Sequence, residues 1–275
     1  MTMEKLDRLI LEAIREDMPE GDVTTDALFT DQTSKAHFIA KQDGVLSGID
    51  VARRVFAIVD PDATFEAHAA DGAPVRRGDV IAIVYGRTAS LLKAERIALN
   101  FLQRMSGIAT KTAAFVAQTA GTAAKILDTR KTTPTLRFLE KQAVRDGGGT
   151  NHRMGLSDMA MIKDNHIKAA GSIAAAVAIV KSRVPCGIPI EVEVETLAQF
   201  LEAAETAADI IMLDNMDTAT MARCVSLNKG GKKLEASGNM TLGRIAEVAA
   251  TGVDYISAGA LTHSVEALDV SLRFQ

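Results

Sequence analysis

From residue 121 onward the chain alternates short apolar runs with helical stretches, and that alternation admits few folds. Apolar runs of about five residues occupy 125–128, 159–163, 189–194, 210–213, 233–236 and 253–257. Helical patterning fills 173–183, 196–205, 219–226 and 242–250. A strand, a helix and a second strand in succession form a right-handed crossover, so the pattern predicts a parallel sheet. Six such strands make either an open doubly wound sheet or a barrel. The residues directly after each strand decide for a TIM-like barrel. Asp128-Thr-Arg130, Lys163-Asp-Asn165, Glu193 with Glu195, Asp214-Asn215, Ser237-Gly238 and Ser257-Ala-Gly259 stand at successive strand ends, which converge on one mouth in a barrel. A dinucleotide-binding sheet would carry Gly-x-Gly-x-x-Gly after its first strand, and that string is not in that place.

The first part of the chain reads differently. Leu6, Ile10, Ala13 and Ile14 recur at helical spacing, predicting an amphipathic helix near 4–16 that Glu20–Thr25 breaks. Residues 36–85 read as short strands and one helix, with turns at Asp43-Gly44, Asp60-Pro61, Asp71-Gly72 and Arg77-Gly78. Residues 88–120 read as two helical pieces interrupted at Ser106-Gly107. The net charge of −4 argues against a nucleic-acid or membrane-surface binder, and the absence of Trp removes an obvious stacking platform. Two cysteines, Cys186 and Cys224, are too few for a disulfide framework and lack metal-ligand spacing. No apolar run is long enough to span a bilayer, and the expected location is the cytoplasm.

Against that acidic background, 128–166 is cationic. Arg130, Lys131, Arg137, Lys141, Arg145, Arg153 and Lys163 outnumber Asp128, Glu140, Asp146, Asp158 and Asp164 by seven to five. Several of these cations sit beside Gly, Thr and Asn, a setting that presents donors to phosphates and carboxylates. Arg130 and Lys131 follow a strand and precede Thr132-Thr133-Pro134, which predicts a helix with Pro at or near its first turn and both cations aimed into the mouth. His152 beside Arg153 is either a donor or an ordinary loop residue. In Glu191-Val-Glu-Val-Glu195 the glutamates share one face, as on a half-exposed edge strand or, better, a central strand whose carboxylates meet cations or a metal. Met212 and Asp214 share a face that points Asp214 at the mouth, and Glu193 with Asp214 could hold Mg²⁺ beside substrate phosphates. Ser237–Thr241 and Gly259–Ser264 are short Gly-containing loops that open helices at the last two strands, the customary phosphate site of such barrels.

These strings, in this order, closely resemble the quinolinate phosphoribosyltransferase family over almost the whole chain. The resemblance rests on Gly21–Thr25, Glu95–Asn100 with Ser106–Thr110, Asp128–Pro134, Gly147–Arg153, Ile162–His166, Glu191–Glu195, Met212–Asn215, Glu235–Gly238 and Ile256–Ser264. It implies an N-terminal α/β open-sandwich domain (1–112, with 265–275 packing against it) and an incomplete α/β barrel carrying the active site (113–264). It further implies a homodimer with a shared active site. The implied reaction joins quinolinate to phosphoribosyl pyrophosphate, with Mg²⁺, giving nicotinate mononucleotide, pyrophosphate and CO₂ in NAD biosynthesis. By the same resemblance Arg96, Arg130, His152 and Arg153 bind the quinolinate carboxylates, with Arg96 supplied by the partner. Lys131 and Lys163 contact either substrate near the reacting centre, and Glu193 and Asp214 hold ribose hydroxyls or Mg²⁺. Ser237, Gly238, Asn239 and Gly259 match the 5′-phosphate loops. Thr135, Asp146 and Asn239 depart from the family pattern, bearing on pocket shape, although Asn tolerates left-handed backbone. The competing readings are a ModD-type protein of molybdate-transport operons and a barrel that binds a sugar phosphate without catalysis.

Overall fold

The computed structural model describes residues 3–275. Helices α1 (Met3–Asp17) and α2 (Val23–Leu28) precede strands β1 (Thr33–Ala40) and β2 (Gly44–Val45), helix α3 (Ile49–Val59), strands β3 (Thr64–Ala67), β4 (Pro74–Val75) and β5 (Val80–Arg87), and helix α4 (Thr88–Ala117). Next come β6 (Lys125–Leu127), α5 (Arg137–Asp146), β7 (Ala160–Ile162), α6 (Asp164–Ala170), α7 (Ile173–Arg183), β8 (Ile190–Val194) and α8 (Leu197–Ala204). The chain ends with β9 (Ile210–Asp214), α9 (Thr218–Leu227), β10 (Lys233–Ser237), α10 (Leu242–Ala249), β11 (Tyr255–Ser257), α11 (Ala260–His263) and β12 (Val270–Phe274). The described residues form two compact units, one of 3–111, 138–148 and 265–275, the other of 112–137 and 149–264. Among them no helix is long and apolar enough to cross a membrane.

An antiparallel sheet of order β12-β1-β5-β3 organises the first unit. Period-two alternation along β1 sends Ala36, Phe38 and Ala40 inward. Phe38 meets Phe56 of α3 edge-on at 5.8 Å and Phe65 of β3 at 5.6 Å. Removing a Phe side chain from water stabilises a fold by roughly 1.5–3 kcal/mol, and Phe38 and Phe56 are both buried. The apolar stripe of α1 buries Leu6 and Ile10. Glu20–Thr25 breaks that helix and also starts the next one. The Asp22 carboxylate accepts from the backbone N–H of Thr24 (3.1 Å) and Thr25 (2.9 Å), capping α2.

The interruption expected at Ser106-Gly107 does not occur, because α4 runs through it. Both residues answer to packing. A Cβ on Gly107 would stand 2.2 Å from the Glu266 carbonyl oxygen. Ser106 Oγ accepts from the Ser47 N–H and donates to the Ser47 carbonyl, each at 3.0 Å.

The second unit is built on a parallel sheet of order β6-β11-β10-β9-β8-β7. This is the order of a barrel opened between β6 and β7, and the free edge of β6 carries one parallel bridge, Leu127 to Thr150. β8 lies between β7 and β9, so 191–194 belong to a central strand, Glu195 follows its end, and the edge-strand alternative falls. Val192 and Val194 are buried on one face of it. Ser172, Thr196 and Asp217 begin α7, α8 and α9 by accepting from the N–H of Ala175, Gln199 and Thr220 at 3.0, 3.2 and 2.7 Å. At the opposite strand ends Asp209 and Asp254 accept from Ile190 N–H (2.8 Å) and Leu234 N–H (2.9 Å), fixing the register from below.

The helix expected to open at Pro134 begins instead at Arg137. Thr135 adopts φ 68°, a left-handed turn that no helix continues through. Arg137 pins this loop, donating to Thr132 Oγ1 (2.9 Å) and to the carbonyls of Met154 (3.1 Å) and Arg130 (3.3 Å).

Replacing Gly107 with Ala should destabilise the first unit by about 2–3 kcal/mol, because backbone rather than a flexible side chain must yield. Chemical denaturation measures this, and an unchanged midpoint would contradict the close approach.

Candidate active site

The C-terminal strand ends of the second unit enclose one cavity of about 630 Å³. Arg130 and Lys131 reach it from the loop after β6, and His152 and Arg153 from the segment preceding β7. Lys163 enters past β7, Glu193 from β8, and Asp214 from the end of β9. Ser237, Gly238 and Asn239 line it after β10, and Gly259 after β11. Eleven of the twelve residues singled out in the sequence therefore share one wall. Arg96 is the exception: it is exposed on α4, in the first unit, and is not among the lining residues.

The cations divide by how they are held. Lys163 Nζ donates to Glu193 Oε2 at 2.6 Å, a pair that crosses from β7 to β8. Arg153 is held by neutral groups, the Met159 carbonyl at 3.2 Å and the Met161 sulfur at 3.4 Å. Burial and then the nearby Arg130 charge lower the Arg153 pKa, with Glu191 and Asp158 opposing. Among the described residues no carboxylate lies within ion-pair distance of Arg130 or Lys131. Buried Asp128 accepts from the His152 N–H at 2.9 Å and so presents His152 to the mouth.

Beneath the cations lies a buried cluster that sequence reasoning did not assemble. His152 Nε2 stands 3.1 Å from Glu191 and 3.3 Å from Glu235, and both carboxylates are buried. One ligand atom from each of the three lies within 4.8 Å of the others, close enough to share an ion. The hydrogen positions argue for a proton there. His152 Nδ1 accepts the Arg153 N–H at 2.7 Å, which leaves Nε2 to carry hydrogen toward the carboxylates. Burial works against charge on His152, but the facing Glu191 and Glu235 carboxylates outweigh it and lift its pKa to about 10. Burial first, then the Glu235 charge, raises Glu191 to about 7. With Nδ1 accepting, the ring hydrogen sits on Nε2, which then offers no lone pair to a metal. Glu193 and Asp214 are two carboxylates on adjacent strands that line the cavity, each with one oxygen engaged by a neighbour, Lys163 or Asn215. They offer a hard cation the oxygen ligands it favours.

The departures from the family pattern resolve individually. Asn239 takes φ 51°, the left-handed geometry its side chain tolerates. Asp146 lies in the first unit, accepts from Ser47 Oγ at 2.6 Å, and does not line the cavity. Thr135 does not line it either. Of the seven cations in 128–166, Lys141 and Arg145 belong to the first unit and Arg137 holds a loop, leaving Arg130, Lys131, Arg153 and Lys163 for the mouth. Arg244, which fastens the loops after β9 and β10, was not foreseen, and Asn215, placed at the mouth as a strand-end residue, was given no role. The only available signal was Asn at a turn.

Comparison with known proteins agrees with this arrangement. Residues 22–106 match the N-terminal domain of quinolinate phosphoribosyl transferase and residues 108–273 its C-terminal domain. The chain is 43% identical to a probable carboxylating nicotinate-nucleotide pyrophosphorylase of Synechocystis, over 98% of this chain and 92% of that protein. It is 44% identical to the corresponding Bacillus subtilis protein, over 98% and 93%. The crystal structure of NadC from Streptococcus pyogenes superposes with a TM-score of 0.96 at 43% identity, covering 100% of this chain and 99% of that one. The nicotinate-nucleotide pyrophosphorylase of Francisella tularensis gives 0.95 at 38%, covering 100% and 98%.

Long-range nitrogen–proton NMR should find hydrogen on His152 Nε2 at about pH 8, because Nδ1 accepts the Arg153 N–H and two carboxylates face Nε2. A bare Nε2 at that pH would contradict the cluster as described. Replacing Thr135 with Gly should relieve left-handed strain and stabilise the protein by about 1 kcal/mol. A fall in melting temperature would mean that the Thr135 side chain stabilises the loop instead.

Proposed function

The chain belongs to the quinolinate phosphoribosyltransferase family, and on that premise we propose how its barrel mouth divides the work between two substrates. The activity is that of a carboxylating nicotinate-nucleotide pyrophosphorylase in NAD biosynthesis. Phosphoribosyl passes from phosphoribosyl pyrophosphate to quinolinate, and nicotinate mononucleotide, pyrophosphate and CO₂ result.

One observation carries the assignment of sites. Arg130 lines the cavity near enough to Arg153 to lower its pKa, with no carboxylate at ion-pair distance from Arg130 among the described residues. Two guanidinium groups in that position call for a dianion, and quinolinate carries two carboxylates. Each charge-assisted hydrogen bond there contributes roughly 1.5–3 kcal/mol. His152 adds an N–H beside them, its ring held by Glu191 and Glu235.

The ribose lies across Glu193 and Asp214, and its 5′-phosphate meets Ser237, Gly238, Asn239 and Gly259. Glu193 and Asp214 would hold Mg²⁺, which when bound neutralises charge on the pyrophosphate. As the C1–oxygen bond breaks, its electron pair leaves with pyrophosphate, and Lys131 and Lys163 stabilise that negative charge. Glu193 and Asp214 stabilise the positive charge developing at C1. The pyridine nitrogen bonds to C1 and becomes cationic. CO₂ then departs from C2, the adjacent ring charge holds the remaining electron pair, and C2 takes up a proton. Positioning and charge neutralisation supply most of the acceleration.

Arg96 enters across a homodimer interface in this reading, which is supported by its exposure on α4 and its place outside the cavity wall. The cytoplasm remains the proposed location, supported by two unpaired cysteines, one exposed.

Replacing Arg153 with Ala should weaken quinolinate binding by about 2–3 kcal/mol and leave the fold intact. Calorimetric titration checks this, and unchanged affinity would remove Arg153 from the site. Mixing inactive Arg96→Ala chains with inactive Lys131→Ala chains should recover part of the activity through hybrid dimers. No recovery in well-exchanged mixtures would contradict a shared site.

A further inference from the structure

The loops after β9 and β10 are joined by a network whose members surround one side chain. Asn215 adopts φ 53° and is exposed at the cavity. Its Nδ2 donates to Asp214 Oδ2 at 2.7 Å, and its Oδ1 accepts from Asn239 Nδ2 at 3.2 Å. Its backbone N–H donates to the Ser237 carbonyl at 3.0 Å. Gly238 leaves it room. A Cβ there would stand 2.2 Å from Asn215 Oδ1 and 2.5 Å from its Cγ, so a side chain at 238 and Asn215 in this pose exclude each other. On the backbone side Arg244 of α10 closes the same joint, donating to the Gly238 carbonyl at 3.2 Å and the Met216 carbonyl at 2.7 Å.

These contacts link two groups that meet different parts of one substrate. Asp214 faces the ribose, while Ser237 to Asn239 face its phosphate. A left-handed Asn is a strained choice for a loop that needs only a turn, since Gly adopts that geometry freely. The amide supplies what Gly lacks, a donor for the carboxylate and an acceptor for the phosphate loop.

We propose that Asn215 is a positioning residue that locks the Asp214 carboxylate to the Ser237–Asn239 loop, with Arg244 as its clasp. The ribose-hydroxyl and 5′-phosphate subsites for phosphoribosyl pyrophosphate are thereby held at one fixed spacing. The inference rests on the substrate assignment above. It adds that phosphoribosyl recognition depends on the joint between two strands as well as on the residues that touch the substrate. Quinolinate, held on the β6 side of the mouth, is indifferent to this joint.

The test compares wild type with Asn215→Gly, Asn239→Ala, Asn215→Gly/Asn239→Ala and Ser237→Ala. Gly keeps the left-handed backbone while removing the amide. Calorimetry with phosphoribosyl pyrophosphate and Mg²⁺ gives affinity, and steady-state kinetics give KM for each substrate. Asn215→Gly should weaken phosphoribosyl pyrophosphate roughly tenfold or more and leave the KM for quinolinate and the melting temperature unchanged. The double variant should lose less than the two single losses added together, because the part of the Asn239 effect that reaches Asp214 runs through Asn215. The proposal is overturned if Asn215→Gly binds as wild type while Ser237→Ala is weakened. It is also overturned if Asn215→Gly weakens both substrates alike together with a lower melting temperature. Unchanged binding in Ser237→Ala would overturn the phosphate-site assignment itself, and this inference with it.

Discussion

Arg130 and Arg153 face one cavity with too little fixed negative charge beside them, and much of the surrounding structure keeps them there. Like charges held close in a partly buried wall repel, and the fold offsets that repulsion with contacts that do not neutralise them. Arg153 is seated on a carbonyl and a thioether, and Arg137 fastens the loop that carries Arg130. Lys163, by contrast, is given Glu193 outright. The mouth is therefore graded, from cations left open to a dianion at β6 to a cation paired with an acid at β7 and β8.

Below this surface, His152, Glu191 and Glu235 form a second electrostatic layer. Burial makes charge on Glu191 costly and favours a proton in the cluster. Its consequence for the mouth is geometric. Asp128 and the two glutamates fix the His152 ring from backbone and side-chain ends at once, so the residue beside Arg153 has one orientation. At the far side of the mouth, the amide of Asn215 does similar work between Asp214 and the loop after β10.

The barrel was legible in the sequence because buried parallel strands must be apolar and their C-terminal ends meet at one mouth, so Lys163, Glu193, Asp214 and Ser237 could be placed at the cavity by position. The same logic failed where one residue type serves two ends. Ser106-Gly107 has the composition of a break, yet Gly107 is small to admit a carbonyl and Ser106 bonds across to Ser47. A count of charge along 128–166 mixed residues of two units, because only tertiary packing assigns 138–148 to the first. Glu191 and Glu193 looked equivalent on one strand face, yet depth separates them: Glu191 is sealed with His152 and Glu193 opens to the cavity. Arg244 and the joining role of Asn215 were invisible because they consist of hydrogen bonds between loops distant in sequence.

The central claim is that paired guanidinium groups demand a doubly charged pyridine. Calorimetric titration of the wild-type protein with quinolinate and, separately, with nicotinate tests it most directly, because the two ligands differ by one carboxylate. Quinolinate should bind roughly tenfold to a hundredfold more tightly, the worth of one charge-assisted contact in a partly dry site. Equal affinity for the two acids would contradict the account.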